Sequence, residues 1–423
     1  MRFRYQWRIA FLIACAITVS YFDRQTLPVA VLAIGREIPI SNTAFSQLQA
    51  AFLVAYAVMY AMGGKLLDAL GTRKGFLVIM LWWSLACASH GFATSFGMLA
   101  VSRFLLGMGE GGGFPAATKS VYEWFSVRER SLAMGIMNAG TAVGAVVAPP
   151  LIAIILSFTS WRWVFFLSGA AGLVWAVWWW YDYFVPASHP RLPQNEKDEL
   201  TSVVESETDV SSPSVPWIQL FSRMDVWGLM TAKFLSDAAW YFYLFWLPKY
   251  LFDVRHFDMK QVGYSAWVPY AASGVGSLVG GWFSGWLIRQ GKSVNFARKL
   301  ALGLSAAVMP SILFVSHAPV EFALVLFSIA FFGQQSWSTL VMVLPTDLFP
   351  GKLVGSVAGL VGFGGAMGGV VFGIVVGYLL DHGFGYGVVF AMVSTFHVIA
   401  FLIILLTVRQ MNTKPLLEEQ FAR

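Results

Sequence analysis

Charge is scarce in this sequence. Only 12% of its 423 residues are Asp, Glu, Lys or Arg, about half the share found in a soluble domain. Most of the chain has no means of staying in water, which excludes an ordinary soluble class. Cysteine is scarcer still. Cys15 and Cys87 both lie in apolar runs, which excludes a disulfide framework and leaves two packing thiols. The six histidines do not cluster, and no residue set has metal-ligand spacing, so no metal is expected. There is no phosphate loop for a nucleotide. No nucleophile–base set is present either, so no enzyme, no catalytic residue and no cofactor is expected.

What is abundant is apolar. Hydrophobic residues make up 57% of the chain, with 40 Gly and 18 Trp. Trp anchors at membrane interfaces and Gly lets helices approach closely, so the expected partner is a lipid bilayer. The formal charge of +6 could suggest nucleic acid. The basic residues instead sit in short loops between apolar runs, which is the positive-inside pattern, and no nucleic-acid partner is expected. The basic opening Met-Arg-Phe-Arg-Tyr-Gln-Trp-Arg resembles a signal peptide. The apolar run after it continues through Asp23-Arg24 to about Val31 without a small-x-small cleavage site, so it is expected to stay as a span.

A spanning helix needs ~20 mostly apolar residues. Twelve such stretches are legible, near 9–32, 44–68, 75–94, 97–119, 131–157, 161–185, 225–252, 261–288, 298–316, 320–345, 353–380 and 385–408. The expected class is an all-α membrane protein of 12 transmembrane helices in two pseudo-symmetric six-helix halves. The halves are read as 1–185 and 225–423, joined by a hydrophilic linker at 186–224. Arg2, Arg4, Arg8, Lys65, Arg73, Lys74, Arg128, Arg130, Arg289, Lys292, Arg298, Lys299 and Arg409 fall in the termini and even-numbered loops. Both termini and the linker are therefore expected in the cytoplasm.

The halves repeat. Glu123-Trp-Phe125-Ser-Val-Arg128 followed by Gly135 matches Asp347-Leu-Phe349-Pro-Gly-Lys352 followed by Gly359, at an offset of 224. Gly140 and Gly144 continue the match onto Gly364 and Gly368. Such repetition is common among secondary transporters, whose binding site lies near mid-membrane between the repeats.

Three stretches carry ionisable chemistry. The loop after span two reads Gly64-Lys-Leu-Leu-Asp68-Ala-Leu-Gly71-Thr-Arg73-Lys74. Gly64 permits close approach, Gly71 a tight turn, and Asp68 can pair with cations or a helix N-terminus, so Gly64, Asp68, Gly71, Arg73 and Lys74 read as a cytoplasmic gate. Span four holds Arg103 and Glu110, two helical turns apart on roughly one face and ~10 Å apart along the axis. An ionisable group at mid-membrane costs at least ~2.5–3.5 kcal/mol, so it normally faces a cavity and has a function. The same offset sets Glu110 against Gln334. A carboxylate can take a proton and an amide cannot, which locates proton chemistry in the first half. Span one supplies Tyr21-Phe22-Asp23-Arg24. Neighbours on a helix point ~100° apart, so Asp23 and Arg24 need not pair with each other. A guanidinium suits a bidentate grip on a carboxylate. Tyr56 and Tyr60, Asn138, Lys233, Asp237, the aromatic run Trp240–Trp246 and Gln334–Ser338 add hydroxyls, amides and rings suited to a polyhydroxylated ligand.

These residues resemble a known family. The Gly64–Lys74 loop is similar to the signature of the major facilitator superfamily. Tyr21-x-Asp23-Arg24 and Arg103-x6-Glu110-Gly resemble its anion:cation symporter family. Glu123-Trp-Phe-x3-Glu129-Arg130-Ser131, Val146-Val-Ala-Pro-Pro150, Phe245-Trp-Leu-Pro-Lys249-Tyr and Gln335-Ser-Trp337 look like the bacterial hexuronate transporter branch. The resemblance implies the major facilitator fold and proton-coupled uptake of a sugar-acid monoanion across the bacterial inner membrane by a monomer. It makes Asp23 and Glu110 the protonatable pair. It gives Arg24 the substrate carboxylate, and it pairs Arg103 with a carboxylate. Tyr21, Tyr56, Asn138, Gln334 and Trp337 would line the cavity. Some hexuronate carriers lack the acid at the Asp23 position, whereas aldonate carriers have it, so both substrate classes stay open. An uncoupled facilitator or substrate-sensing receptor on the same fold is the competing reading. The buried Arg24 and Arg103 favour an anion over the lipophilic cation of a drug exporter.

Overall fold

The computed structural model describes residues 5–125, 127–198, 200, 220–349, 351–408 and 411, and their side chains except at 61, 64, 65, 68, 127–132, 346 and 351–356. Among the described residues there are helices, turns and no strand. In the first half, α1 runs Tyr5–Gly35, α2 Asn42–Leu70, α3 Thr72–Ser89, α4 Phe96–Gly111, α5 Gly113–Trp124, α6 Val127–Phe158 and α7 Trp161–Asp182. In the second, α8 runs Met224–Asp253, α9 Met259–Ser265, α10 Trp267–Arg289, α11 Val294–Ala307, α12 Val320–Leu348, α13 Gly351–Asp381 and α14 Gly385–Thr407. Each expected span coincides with one helix or a broken pair. Span four is α4 and α5 interrupted at Gly112, span eight is α9 and α10, and span nine is α11 extended by a 3-10 stretch at Met309–His317.

Eight of the stretches are long and apolar enough to cross a bilayer on composition alone. The charge-rich α8 (Asp225, Lys233, Asp237, Lys249, Asp253) is among those that complete the twelve. The 31 residues of α1 extend about 46 Å at ~1.5 Å per residue, more than the ~30 Å hydrocarbon core. Large apolar side chains point outward along the bundle: Phe158 is 85% exposed, Leu278 75% and Leu406 73%. So much apolar surface fits lipid and not water.

The chain divides into two compact units. Unit 1 is Met1–Ile40, Ala51–Ser212 and Met259–Tyr264; unit 2 is Ser41–Ala50, Pro213–Asp258 and Ser265–Arg423. Each is built on the same contact between its first and fifth spans. In unit 1, a Cβ at Gly140 or Gly144 would collide with the carbonyl of Ala14 or Thr18 on α1. In unit 2, Gly364 and Gly368 sit the same way against the carbonyls of Met230 and Phe234 on α8. Glycine pairs four apart allow two backbones to touch, and they recur where the repeat places them.

The repeated acids also do parallel work. Glu123 accepts from Thr72 Oγ1 at 2.5 Å and from Tyr183 at 2.5 Å, fastening the end of α5 to the start of α3 and the end of α7. Asp347 takes Arg298 Nε at 2.9 Å, near the start of α11. In both units the acid closing the fourth span holds the start of the third. Asp182 anchors the same end of unit 1, accepting from Arg8 Nε at 2.8 Å, Arg191 Nη1 at 2.7 Å and Trp178 Nε1 at 2.6 Å.

Candidate functional site

Four buried charges meet inside unit 1. Asp23 and Arg24 follow one another on α1, yet they serve different neighbours, as the 100° step requires. Asp23 is fully buried and turns to α3 and α7, accepting from Trp83 Nε1 at 2.5 Å and from Ser168 Oγ. Arg24 turns to α2 and α4. Its Nε lies 2.8 Å from Glu110 Oε2, and its guanidinium carbon lies 4.6 Å from the Tyr21 ring centre, 4.7 Å from Tyr56 and 5.6 Å from Phe52. Glu110 Oε2 also accepts from Ser20 Oγ at 2.7 Å, while Oε1 has no hydrogen-bond partner among the described residues. Arg103 is fully buried in the same cluster, with its guanidinium carbon 4.9 Å from the Phe52 ring centre.

The glycine-rich sequence around Glu110 explains how it gets there. A Cβ at Gly107 or Gly111 would strike the carbonyl of Phe52 or Tyr56 on α2, and one at Gly109 would strike Trp83 on α3. Side chains there would hold α4 away, and Glu110 would no longer reach Arg24. The motif is a close-packing device that delivers one carboxylate to α1.

Charge counting bears on what the cluster can do. Two guanidiniums and two carboxylates sum to zero when both acids are ionised. Arginine does not deprotonate in proteins. An arriving monoanion therefore leaves the cluster one negative charge in excess, and a proton on either acid restores the balance. In a low-dielectric interior that imbalance is costly.

The remaining sequence-selected residues are placed as follows. Tyr21 and Tyr56 are buried against Arg24, and Tyr60 continues the ring series 5.8 Å from Tyr56. Asn138 is exposed on α6. Gln334 and Trp337 are buried on α12 in unit 2, and Gln334 Oε1 and Trp337 Nε1 have no hydrogen-bond partner among the described residues. In the loop motif, Gly71 adopts φ 74°, a left-handed turn that suits only glycine comfortably. Arg73 donates to the Trp180 carbonyl at 2.6 Å and lies over the Trp180 and Phe184 rings, at 4.1 and 3.7 Å, so it is fastened to α7. Lys74 is exposed. The surroundings of Gly64 and the side chain of Asp68 lie outside what the structure describes.

Sequence reasoning missed Ser20, Phe52, Trp83 and Ser168. Ser20 has a local signal, one helical turn before Arg24. The other three enter only through tertiary packing, and nothing in their own sequence neighbourhood marks them.

The family model for the Major Facilitator Superfamily matches residues 13–372. A hexuronate transporter from Escherichia coli strain K12 is 30% identical over 406 residues, covering 94% of this chain and 93% of the relative. A galacturonate transporter from Dickeya chrysanthemi is 31% identical over 308 residues, covering 72% and 89%. Among solved structures, a bacterial homologue of the human lysosomal transporter Spinster, crystallised inward-facing and occupied, superposes with a TM-score of 0.71 at 15% identity over 96% of this chain and 97% of that one.

Proposed function

This chain belongs to the Major Facilitator Superfamily, and from that premise we propose that it is a proton-coupled symporter importing a sugar-acid monoanion across a bacterial inner membrane. The relatives named for hexuronate and galacturonate transport support the substrate class. The observation that carries the reading is the contact of Arg24 with Glu110 at 2.8 Å inside a fully buried cluster. In the unloaded state Glu110 occupies the guanidinium edge that a substrate carboxylate needs. Protonating Glu110 removes its charge, releases that edge and leaves Arg24 free to grip the incoming anion. Substrate and proton are then bound together or not at all, which is the thermodynamic requirement for coupling. Asp23 holds the second carboxylate of the cluster, and Arg103 keeps both acids and the anion in balance. Tyr21 and Tyr56 pack their rings against the guanidinium, and Asn138, Gln334 and Trp337 serve the ligand's hydroxyls. Gly64, Asp68, Gly71, Arg73 and Lys74 act at the cytoplasmic gate.

An acid at Asp23 leaves aldonate and uronate both open, so the defining experiment is a panel. Purified protein is screened by thermal shift and proteoliposome uptake against uronates, aldonates, aldarates and small carboxylates. Binding of at least one sugar acid is expected, and binding of none would sink the anion reading. Coupling is tested on Glu110→Gln, which is expected to lose accumulation driven by a pH gradient while still exchanging internal for external substrate. Accumulation against a gradient by that variant would remove Glu110 from the coupling role. A proton ionophore separates this reading from an uncoupled facilitator, whose accumulation it would leave unchanged.

A further inference from the structure

The start of the linker is strapped back onto unit 1. Past the end of α7, Pro186–Ser188 make a single 3-10 turn that carries His189 inward. Its side chain is fully buried. The rings of Tyr5 on α1, Trp124 on α5 and Phe184 lie 4.5, 5.6 and 5.5 Å from its own, centre to centre. Trp124 Nε1 donates to the Phe184 carbonyl at 3.1 Å and closes this wall. One histidine thus joins the first turn of α1, the last turn of α5 and the chain leaving α7.

Both ring nitrogens are used. Nδ1 accepts from the Arg191 backbone N–H at 3.1 Å, and Nε2 lies 3.3 Å from the Asp182 carbonyl oxygen. An N–H only donates and a carbonyl only accepts, so these partners assign the neutral tautomer with its hydrogen on Nε2. A second proton would sit on Nδ1 and face the Arg191 N–H, donor against donor. It would also place a charge among three aromatic rings.

The charged groups around the ring, among the described residues, do not welcome that proton. Arg8 on α1 and Arg191 on the strap both bind the Asp182 carboxylate, which also accepts from Trp178, so that charge is already shared. Glu123 on α5 is turned to Thr72 and Tyr183. Burial pushes His189 below the ordinary histidine value. The Asp182 carbonyl opposes this, and the Arg191 and Lys197 cations add to it. The sign follows: the neutral ring is the form that fits, so the strap holds fully above the ordinary value of about 6.5 and weakens as pH falls below it. A released ring titrates near that ordinary value. Between pH 7.5 and 5.5 the ratio of attached to released strap therefore falls by up to about tenfold.

We propose that His189 is a pH-sensitive latch, which holds the start of the linker on unit 1 at neutral pH and lets it go in acid, slowing the carrier. The latch itself does not depend on the substrate; its regulatory effect rests on the sugar-acid symport reading. An importer that takes in a proton with each anion acidifies the side it delivers to, which is the side where the linker is expected. Release there loosens the ends of α1, α5 and α7, which alternating access moves as one body. Import then limits itself when protons arrive faster than they are removed.

The test for the latch is hydrogen–deuterium exchange of the amides of 186–192 in full-length protein in detergent. Rates are expressed as protection over the intrinsic chemical rate, which removes the ordinary effect of pH on exchange. Wild-type protection is expected to fall by up to about tenfold from pH 7.5 to 5.5. His189→Gln keeps a donor and an acceptor but cannot titrate, and is expected to be protected equally at both. His189→Phe keeps a ring, and is expected to show weaker protection that is also independent of pH; it decides the question if His189→Gln fails to fold. Equal wild-type protection at the two pH values, or a wild-type pH response in the variants, would overturn the latch. Regulation is tested by D-glucuronate counterflow in proteoliposomes with the same pH on both faces. The rate at pH 5.5 relative to 7.5 is expected to be higher in His189→Gln than in wild type, and equal ratios would overturn the regulatory effect. If wild type exchanges no D-glucuronate at either pH, the hexuronate reading fails, and the deuterium experiment still decides the latch.

Discussion

Arg24 shows how one side chain can serve three partners at once. Its edge meets Glu110, and Tyr21 and Tyr56 lie 4.6 and 4.7 Å from its guanidinium carbon. Lysine would keep the charge and lose both the planar fork and the flat surface that packs against rings. Each desolvated cation–π contact is worth about 0.5–2 kcal/mol, and 1.4 kcal/mol is a factor of ten. Arg24→Lys is therefore expected to raise the KM for the sugar acid by about tenfold or more with the protein still folded, as measured by uptake kinetics and thermal melting. Asp23 gives a second test at this scale. Trp83→Phe keeps the ring and removes the indole N–H that Asp23 accepts at 2.5 Å. A buried acceptor that loses a donor costs about 1–3 kcal/mol, so a lower melting temperature is expected, and an unchanged one would mean that Asp23 does not depend on this bond. Much of the cluster was legible because charge is rare in an apolar chain: Asp23, Arg24, Arg103 and Glu110 announce themselves against such a background. Their partners were not. Trp83 and Ser168 are ordinary residues for membrane helices, and only the folded arrangement turns them toward Asp23.

Glycine sets the close approach of several helices in this molecule, and the effect is selective. Gly140, Gly144, Gly364 and Gly368 meet backbone carbonyls of a neighbouring helix, whereas Gly135 and Gly359 have nothing within 4 Å of an added Cβ among the described residues. The six are equivalent in the repeat pattern of the sequence, which cannot say which of them touch. Alanine at Gly144 or Gly368 must push α6 from α1 or α13 from α8, and overpacking of this kind costs about 1–3 kcal/mol. Alanine at Gly135 or Gly359 meets open space and trades away glycine's helix penalty of about 1 kcal/mol. The expected outcome is a clear fall in melting temperature for Gly144→Ala and Gly368→Ala and none for Gly135→Ala and Gly359→Ala. Equal effects across the four would mean that the close contacts do not hold the helices. Element positions were legible throughout, because twenty-residue apolar runs leave few alternatives. The breaks were less so. Span four ran unbroken in the sequence reading, but Gly112 separates α4 from α5.

At the scale of the whole molecule, orientation follows from where the basic residues lie. Arg8, Arg73, Lys74, Arg191, Arg289, Lys292, Arg298 and Lys299 all fall in the terminal segment, the linker or the even-numbered loops of the sequence. The odd-numbered loops have fewer, and some of these are engaged. Arg162 is held 2.5 Å from Glu37, and Arg255 donates to the Val315 carbonyl at 2.6 Å. The bias in short loops sets topology through the cost of moving cations across the membrane during insertion. Both termini are therefore expected in the cytoplasm. A green fluorescent protein fused after Arg423 should fluoresce, and alkaline phosphatase at the same point should be inactive. Phosphatase fused in the connection between α1 and α2, near Ile38, should be active. A single cysteine introduced at exposed Gln194 should react with a membrane-impermeant maleimide only after the cells are opened, and labelling in intact cells would reverse the assignment. The orientation bears directly on mechanism. An importer driven by inward proton flow must load its proton from the side opposite the linker, so this topology decides which face of the Arg24–Glu110 pair has to open first.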